Sequence, residues 1–171
     1  MKKFALLAMA IVFGLAASAR AGLPVQLGVA GDSLQVFSAE REITGLRLNL
    51  PYSENDEMTG LDFGIAGGGG TIRGIRLNLF NFSSVHSAGL EAGLSNYGET
   101  FSGVQFGIFN IVEGEVQGWQ TALFNNAGEL HGFQLGIVNR AGSLHHGVQL
   151  GLINIVKSSD AYVLPIVSWG F

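Results

Sequence analysis

The sequence of 171 residues contains no cysteine. A disulfide framework and a thiolate metal site are therefore both excluded. After residue 21 the chain also lacks any apolar run near the roughly 18 residues that a membrane-spanning helix requires. Any contact with a membrane is accordingly expected to be made by strands.

Basic residues are also scarce, with nine Lys and Arg against thirteen Asp and Glu. Three of the nine lie in the first 20 residues, which combine Lys2 and Lys3, an apolar run over 4–17 and a small-x-small triplet over 19–21. This pattern predicts a secretory signal peptide, residues 1–21. Its removal would leave six basic and thirteen acidic side chains, a net charge of −7. Nucleic acid is a poor partner for such a chain.

Glycine, in contrast, is abundant, with 26 residues. Eight of them recur at spacings that alternate between 15 and 14, so the true period is 29 residues. Each begins a unit of the form Gly-h-Gln-h-Gly-h-h-Asn, where h is hydrophobic, and this period-two alternation predicts strands. We therefore expect one repeat-built β domain over 22–171, with repeats over about 45–156 and a final strand over 161–171. The repeat glycines are Gly45, Gly60, Gly74, Gly89, Gly103, Gly118, Gly132 and Gly147.

The third residue of every unit is polar and marks one face of the predicted strands. Four charges of alternating sign come first and four amides follow. Such groups can neutralise and hydrogen-bond one another on a shared surface, whereas on a lipid-facing or dry surface each would be costly. The sequence thus predicts a face that is internally paired or wet, formed by Arg47, Asp62, Arg76, Glu91, Gln105, Gln120, Gln134 and Gln149.

Two architectures fit the alternating spacing. An antiparallel meander with one turn length at each end produces it, with turns around 142–143 and 126–128. In that register Gln134 would lie opposite Gly151. A β-solenoid built from 29-residue double units fits the spacing too, and the apolar residues would then form its core.

The end of the chain favours the first architecture. A final strand with Val167, Trp169 and Phe171 at every second position resembles the assembly signal of bacterial outer-membrane β-barrels. We therefore expect an all-β, up-and-down antiparallel meander closed as a small outer-membrane-type barrel of about ten strands. Its apolar face would contact outer-membrane lipid, its polar face would line a narrow lumen, and the barrel-assembly machinery would be a partner.

The repeats over about 45–156, together with the signal-like start and the ending over 165–171, resemble the secreted surface-repeat proteins of Gram-negative bacteria. These include the leptospiral surface-repeat family and a similar short Vibrio family. The resemblance implies an envelope location and supplies no catalytic residue.

No residue pattern points to chemistry. A His145-His146 pair lacks a third ligand at a diagnostic spacing, and Gly67–Gly70 lacks the Gly-Lys-Ser/Thr ending of a phosphate loop, which leaves a flexible turn as its expected structure. We expect no catalytic, cofactor or metal site. The expected function is that of a non-enzymatic outer-membrane surface protein with a structural or interaction role, with a narrow polar pore as one form. The alternative is a secreted β-solenoid binding module at the cell surface or in the periplasm.

Overall fold

The computed structural model describes residues 23–29, 34–158 and 163–170, and these are extended almost throughout. The expected signal peptide lies outside the described residues. The strands form one sheet in which the order along the chain is also the order in space. They are β1 (Leu23–Gly28), β2 (Ile43–Ala92), β3 (Ser95–Phe106), β4 (Phe109–Val112), β5 (Glu115–Leu144), β6 (Gly147–Val156) and β7 (Val163–Gly170).

Consecutive strands from β1 to β6 pair in parallel. From β2 onwards a residue pairs with the one 14 or 15 positions further along, as Glu91 does with Gln105 and Gln134 with Gln149. A continuous strand such as β2 therefore winds through several coils, and each coil is one repeat unit. The chain is a β-solenoid, and the 29-residue double unit comprises two coils.

The predicted antiparallel barrel is wrong. Gln134 was expected opposite Gly151 but pairs with Gln149, and Gly136 pairs with Gly151. Among the described strands the only antiparallel ladder joins β6 to β7. Parallel winding places each side chain beside its equivalent in the next coil, so that amides meet amides and can hydrogen-bond. The solenoid alternative is confirmed.

The alternating spacing also has a different cause from the two hairpin turns expected. Gly98 pairs with Val112 at an offset of 14, but Phe101 pairs with Val116 at an offset of 15. One extra residue thus enters the longer coil between Val112 and Val116. This coil takes up its additional residue at that corner, which leaves the rest of the coil in register.

The strict recurrence of glycine follows from the packing of the same corner in every coil. The first seven repeat glycines have φ between 118° and 147°, a region that side chains other than glycine rarely adopt. They also stack directly, and a Cβ built on Gly103 would lie 2.1 Å from the carbonyl oxygen of Gly89. Both constraints exclude a side chain at this column of the solenoid.

The interior is divided into a polar part and an apolar part. The polar part contains the third residue of every unit, and all eight of these residues are buried. The apolar part comes from the other half of the coil, where one cluster includes Phe101, Val116 and Leu130 and a second includes Met58 and Ile72. The expectation that the apolar alternating residues would form the solenoid core is therefore wrong, since those residues point outward.

Short strands close the two ends. β1 lies parallel to the start of β2, and Gln35 forms an isolated bridge to Gly28 on its other side. At the far end β7 lies antiparallel on β6. The predicted final strand, 161–171, is described only from Val163 to Gly170.

Candidate functional site

The third residues of the eight units stack into a buried polar column. The first half of this column is a chain of ion pairs. Arg47 donates two hydrogen bonds to Asp62, from Nε to Oδ1 at 3.0 Å and from Nη2 to Oδ2 at 2.7 Å. Arg76 contacts the same carboxylate at 3.3 Å and reaches Glu91 Oε1 at 2.7 Å. All four side chains are at most 3% exposed. The alternating charges seen in the sequence thus neutralise one another inside the coil.

Backbone groups complete this charged half. Arg47 Nη1 donates to the carbonyl of Gly68 at 2.7 Å, and Arg76 Nη2 donates to that of Gly67 at 2.7 Å. Burial alone would raise the pKa of Asp62, but the hydrogen bonds and charge of Arg47, with help from Arg76 and Asn49, outweigh it and lower that pKa below its ordinary value. The carboxylate is therefore held ionised inside the fold.

The second half of the column is a ladder of amides. Gln105 Nε2 donates to Glu91 at 2.9 Å, and each later glutamine donates to the one before it at 2.7 to 2.8 Å. The last acceptor, Gln149 Oε1, has no partner among the described residues. The ladder therefore ends on one unpaired oxygen, next to the buried Ser168 of β7.

A second amide ladder runs beside the first. Each of its asparagines except the last donates from Nδ2 to Oδ1 of the next, over 2.7 to 3.0 Å. Sequence reasoning read these asparagines only as the end of the repeat motif. The ladder consists of Asn81, Asn96, Asn110, Asn125, Asn139 and Asn154.

All eight residues predicted to line a lumen face the solenoid interior, where they bond to one another and to the backbone. The barrel whose lumen they were expected to line does not form. Because these side chains are buried and paired, the column stabilises and orders the coils, and it offers no group to a ligand in solvent.

One side of the solenoid presents an apolar surface to solvent. We define the apolar face as the residues one, three, five and six positions after each repeat glycine, and none of these 32 residues is buried. Twenty-nine are apolar, and the exceptions Pro51, Ser95 and Thr121 carry no charge. The apolar face consists of Leu46, Leu48, Leu50, Pro51, Leu61, Phe63, Ile65, Ala66, Ile75, Leu77, Leu79, Phe80, Leu90, Ala92, Leu94, Ser95, Val104, Phe106, Ile108, Phe109, Trp119, Thr121, Leu123, Phe124, Phe133, Leu135, Ile137, Val138, Val148, Leu150, Leu152 and Ile153.

This face is large for a single chain. Eight coils at about 4.8 Å and six residues at about 3.3 Å give roughly 34 Å by 17 Å, or on the order of 600 Å². Monomeric soluble proteins reach roughly 300 to 600 Å² in their largest apolar patch. Individual side chains are well exposed, with Leu123 at 53% and Leu152 at 69%.

The half of the coil that does not form the apolar face carries exposed acidic residues. We define the acidic face as Asp56, Glu57, Glu99, Glu113, Glu115 and Glu129. His131 lies on the same side, 3.4 Å from Glu115, and its ring stacks on that of His145 at 5.4 Å between centroids. In the described part of the chain no group of three or more His, Cys, Asp or Glu could hold a metal ion.

One concave feature was missed by sequence reasoning. Gly67–Gly70, expected to form a flexible turn, is extended within β2 and leaves a notch of about 190 Å³ in the surface. Tyr52, Phe82 and Tyr97 line it together with Glu54. The sequence signal that could have found it is the aromatic residue eight positions after Gly74 and again eight after Gly89.

The residues predicted as an assembly signal lie in β7, so far as they are described. Val167 pairs with Leu150 and Trp169 with Val148, and Trp169 is largely exposed. Phe171 lies outside the described residues.

Comparisons with protein-family models, with curated proteins and with solved structures gave no match for this chain. Within the described residues, no helix has the length and apolar character needed to span a bilayer.

Proposed function

We propose that the protein is an exported, non-enzymatic β-solenoid binding module of the bacterial cell surface, and that it works by laying its apolar face on a lipid surface. The observation that carries the proposal is the apolar face itself, which extends over eight coils without one charged residue. The signal-like start and the surface-repeat resemblance of the sequence support the envelope location.

The distribution of polar groups suits an interface between lipid and water. The charges and amides of the polar column are buried and paired, so contact with lipid would strand none of them. Parallel pairing also satisfies the backbone groups of each inner coil through its neighbours, which hydrocarbon demands of any segment in contact with it. The acidic face would remain in water. An amphipathic element of this kind lies on a membrane surface without crossing it.

The shape of the apolar surface favours lipid over a second copy of the chain. Beyond the apolar face the exposed surface turns the corner of the coil and stays aromatic, with Phe82 and Tyr97 both more than 40% exposed. A second solenoid could cover either the apolar face or the aromatic surface around the corner, whereas a fluid lipid phase can cover both. The scarcity of basic residues makes zwitterionic lipid the better surface, since anionic lipid rewards Lys and Arg.

The full chain is exported from a bacterial host, and mass spectrometry of the product identifies the residue at which the processed protein begins. The test is flotation of this processed protein with phosphatidylcholine vesicles. We expect binding that persists at high salt, because apolar burial is not screened. Leu123→Glu should weaken binding on the order of 30-fold, since a charge in the hydrocarbon costs roughly 2 to 3 kcal/mol.

The matched control is Ser102→Glu, which adds the same charge on the other half of the coil. It should bind as the parent does, and both variants should keep the parent circular dichroism and thermal midpoint. A protein that ignores vesicles but forms dimers that Leu123→Glu dissociates would replace lipid with a second copy as the partner. A monomer that ignores vesicles would overturn the proposal.

A further inference from the structure

The notch beside Gly68 arises from a break in one outward column of the solenoid. Gly69 and Gly70 lie against Asn55 and Asp56 of the preceding coil, which places Gly68 next to Glu54. In the following coil the Oγ of Ser84 contacts the carbonyl of Gly69 at 3.4 Å, so Phe82 lies on the other side of Gly68. Three successive coils thus place Glu54, Gly68 and Phe82 side by side, so that a glycine without a side chain separates a carboxylate from an aromatic ring.

The walls of the notch carry negative charge and aromatic rings. Tyr52 donates from its hydroxyl to Glu54 Oε2 at 2.8 Å and lies close over Gly68, where a Cβ would be 2.5 Å from that hydroxyl. Phe82 and Tyr97 pair across neighbouring coils and are both exposed. None of the eight lining residues is basic.

The surroundings extend the negative potential. Tyr97 donates to Glu113 at 3.2 Å, and this hydrogen bond, with the charges of Glu113 and Glu99, raises the pKa of Tyr97 above its ordinary value. The faces of aromatic rings attract cations, and a carboxylate beside them adds a direct charge partner. An anion would meet Glu54, and an uncharged apolar group would leave that carboxylate unused.

We propose that the notch formed by Tyr52, Glu54, Gly68 and Phe82 binds an alkylammonium group. Methyl or methylene groups of the ligand contact the rings while its positive charge faces the carboxylate of Glu54. A volume of about 190 Å³ holds a group of this size. The same chemistry is carried by a free choline-type solute and by the headgroup of a zwitterionic lipid. The notch lies where the apolar face turns its corner, and only the lipid source depends on the proposed docking to membranes.

The first arm uses choline as the probe in titration calorimetry and saturation-transfer NMR on the processed, full chain. The comparison ligand is the uncharged isostere in which carbon replaces the quaternary nitrogen. Choline should bind measurably and the isostere about tenfold more weakly. Equal binding of the two would reduce the notch to an apolar slot and overturn the proposal.

Variants locate the site. Gly68→Leu fills the notch beside the Tyr52 hydroxyl, and Glu54→Gln removes the charge. Each variant should lower the affinity for choline about tenfold or more. Glu129→Gln removes an exposed carboxylate from another coil and should leave the affinity for choline unchanged. Affinity unchanged in Gly68→Leu, with the fold intact by circular dichroism, would place the choline elsewhere and refute the assignment.

The second arm separates the two sources. If the ligand is a lipid headgroup, the parent protein should prefer phosphatidylcholine to phosphatidylglycerol vesicles by more than Gly68→Leu does, since the variant keeps only the preference that the net negative charge produces. Gly68→Leu should still bind vesicles through the apolar face. If the two proteins show the same preference but free choline binds the parent, the source is a soluble ammonium compound. If the parent protein binds choline but no vesicles, the proposed membrane function is refuted and the ammonium site stands.

Discussion

The two halves of the buried polar column solve one packing problem in different ways. Over Arg47 to Glu91 the rungs are charges of alternating sign, and over Gln105 to Gln149 they are identical amides. Both halves are buried, and both form a continuous chain of hydrogen bonds along the solenoid axis. They differ in what happens when a rung is lost or displaced.

The charged half distinguishes correct from incorrect winding. A chain that skipped one coil there would place Arg47 next to Arg76, two buried like charges, at a high energetic cost. A skip in the amide half would place glutamine next to glutamine and cost little. Alternating charges therefore discourage misalignment where the solenoid begins, and the uniform ladder extends a register already set.

The largest expected effect comes from neutralising the shared carboxylate. Asp62→Asn keeps the shape but leaves Arg47 without its charge partner and Arg76 with one partner instead of two. Breaking a buried pair in this way costs about 3 to 5 kcal/mol. Urea unfolding followed by circular dichroism would measure the loss in free energy of unfolding.

The control removes the stranded charge as well. Arg47→Gln combined with Asp62→Asn should recover part of the loss, since a double-mutant cycle reports the coupling between the two side chains. If Asp62→Asn unfolds at the urea concentration of the parent, the charged half tolerates the loss of a partner at least as well as the amide half does, and the proposed difference between the two halves is refuted.

Acid should weaken the charged half selectively. The pKa of Asp62 is lower in the folded chain than in the unfolded chain, so the unfolded chain binds more protons and stability falls as the pH falls. The loss should begin as the pH approaches about 3.9, the ordinary value for Asp, and continue until the folded carboxylate is protonated. Thermal midpoints measured across this range should fall less steeply in the Arg47→Gln, Asp62→Asn double variant; parallel slopes would contradict the assignment to Asp62.

The smallest effects are expected in the amide half, where position along the ladder decides the size. Gln120→Ala removes a donor to Gln105 and an acceptor for Gln134, and stranding those buried groups costs about 1 to 3 kcal/mol. Gln149→Ala breaks one bond at the end of the ladder, where Oε1 is already unpaired, and should cost less. Urea unfolding of the two variants measures both losses in the free energy of unfolding. Equal losses would mean that the number of broken hydrogen bonds in the ladder does not decide its contribution to stability.

Much of the candidate site could be predicted from residue order. The division into an apolar face and a polar face that pairs internally follows from period-two alternation, which holds for either strand direction. The notch could not be predicted, because it depends on which residue of the neighbouring coil lies beside Gly68. Glu54 and Phe82 each lie 14 residues from Gly68 in the sequence, and only the register of the coils brings them to the same opening.

The sequence by itself determined the repeat, the strands, and the division into an apolar face and a polar face whose side chains pair with one another. Only the tertiary structure decided that neighbouring strands run in parallel and that one unit makes one coil. The physical reason is that alternation specifies which side chains share a face of a strand and carries no information about the direction of the strand beside it. Direction was decided by the fit of whole coils, in which stacked glycines approach closely and asparagine and glutamine each meet their own kind.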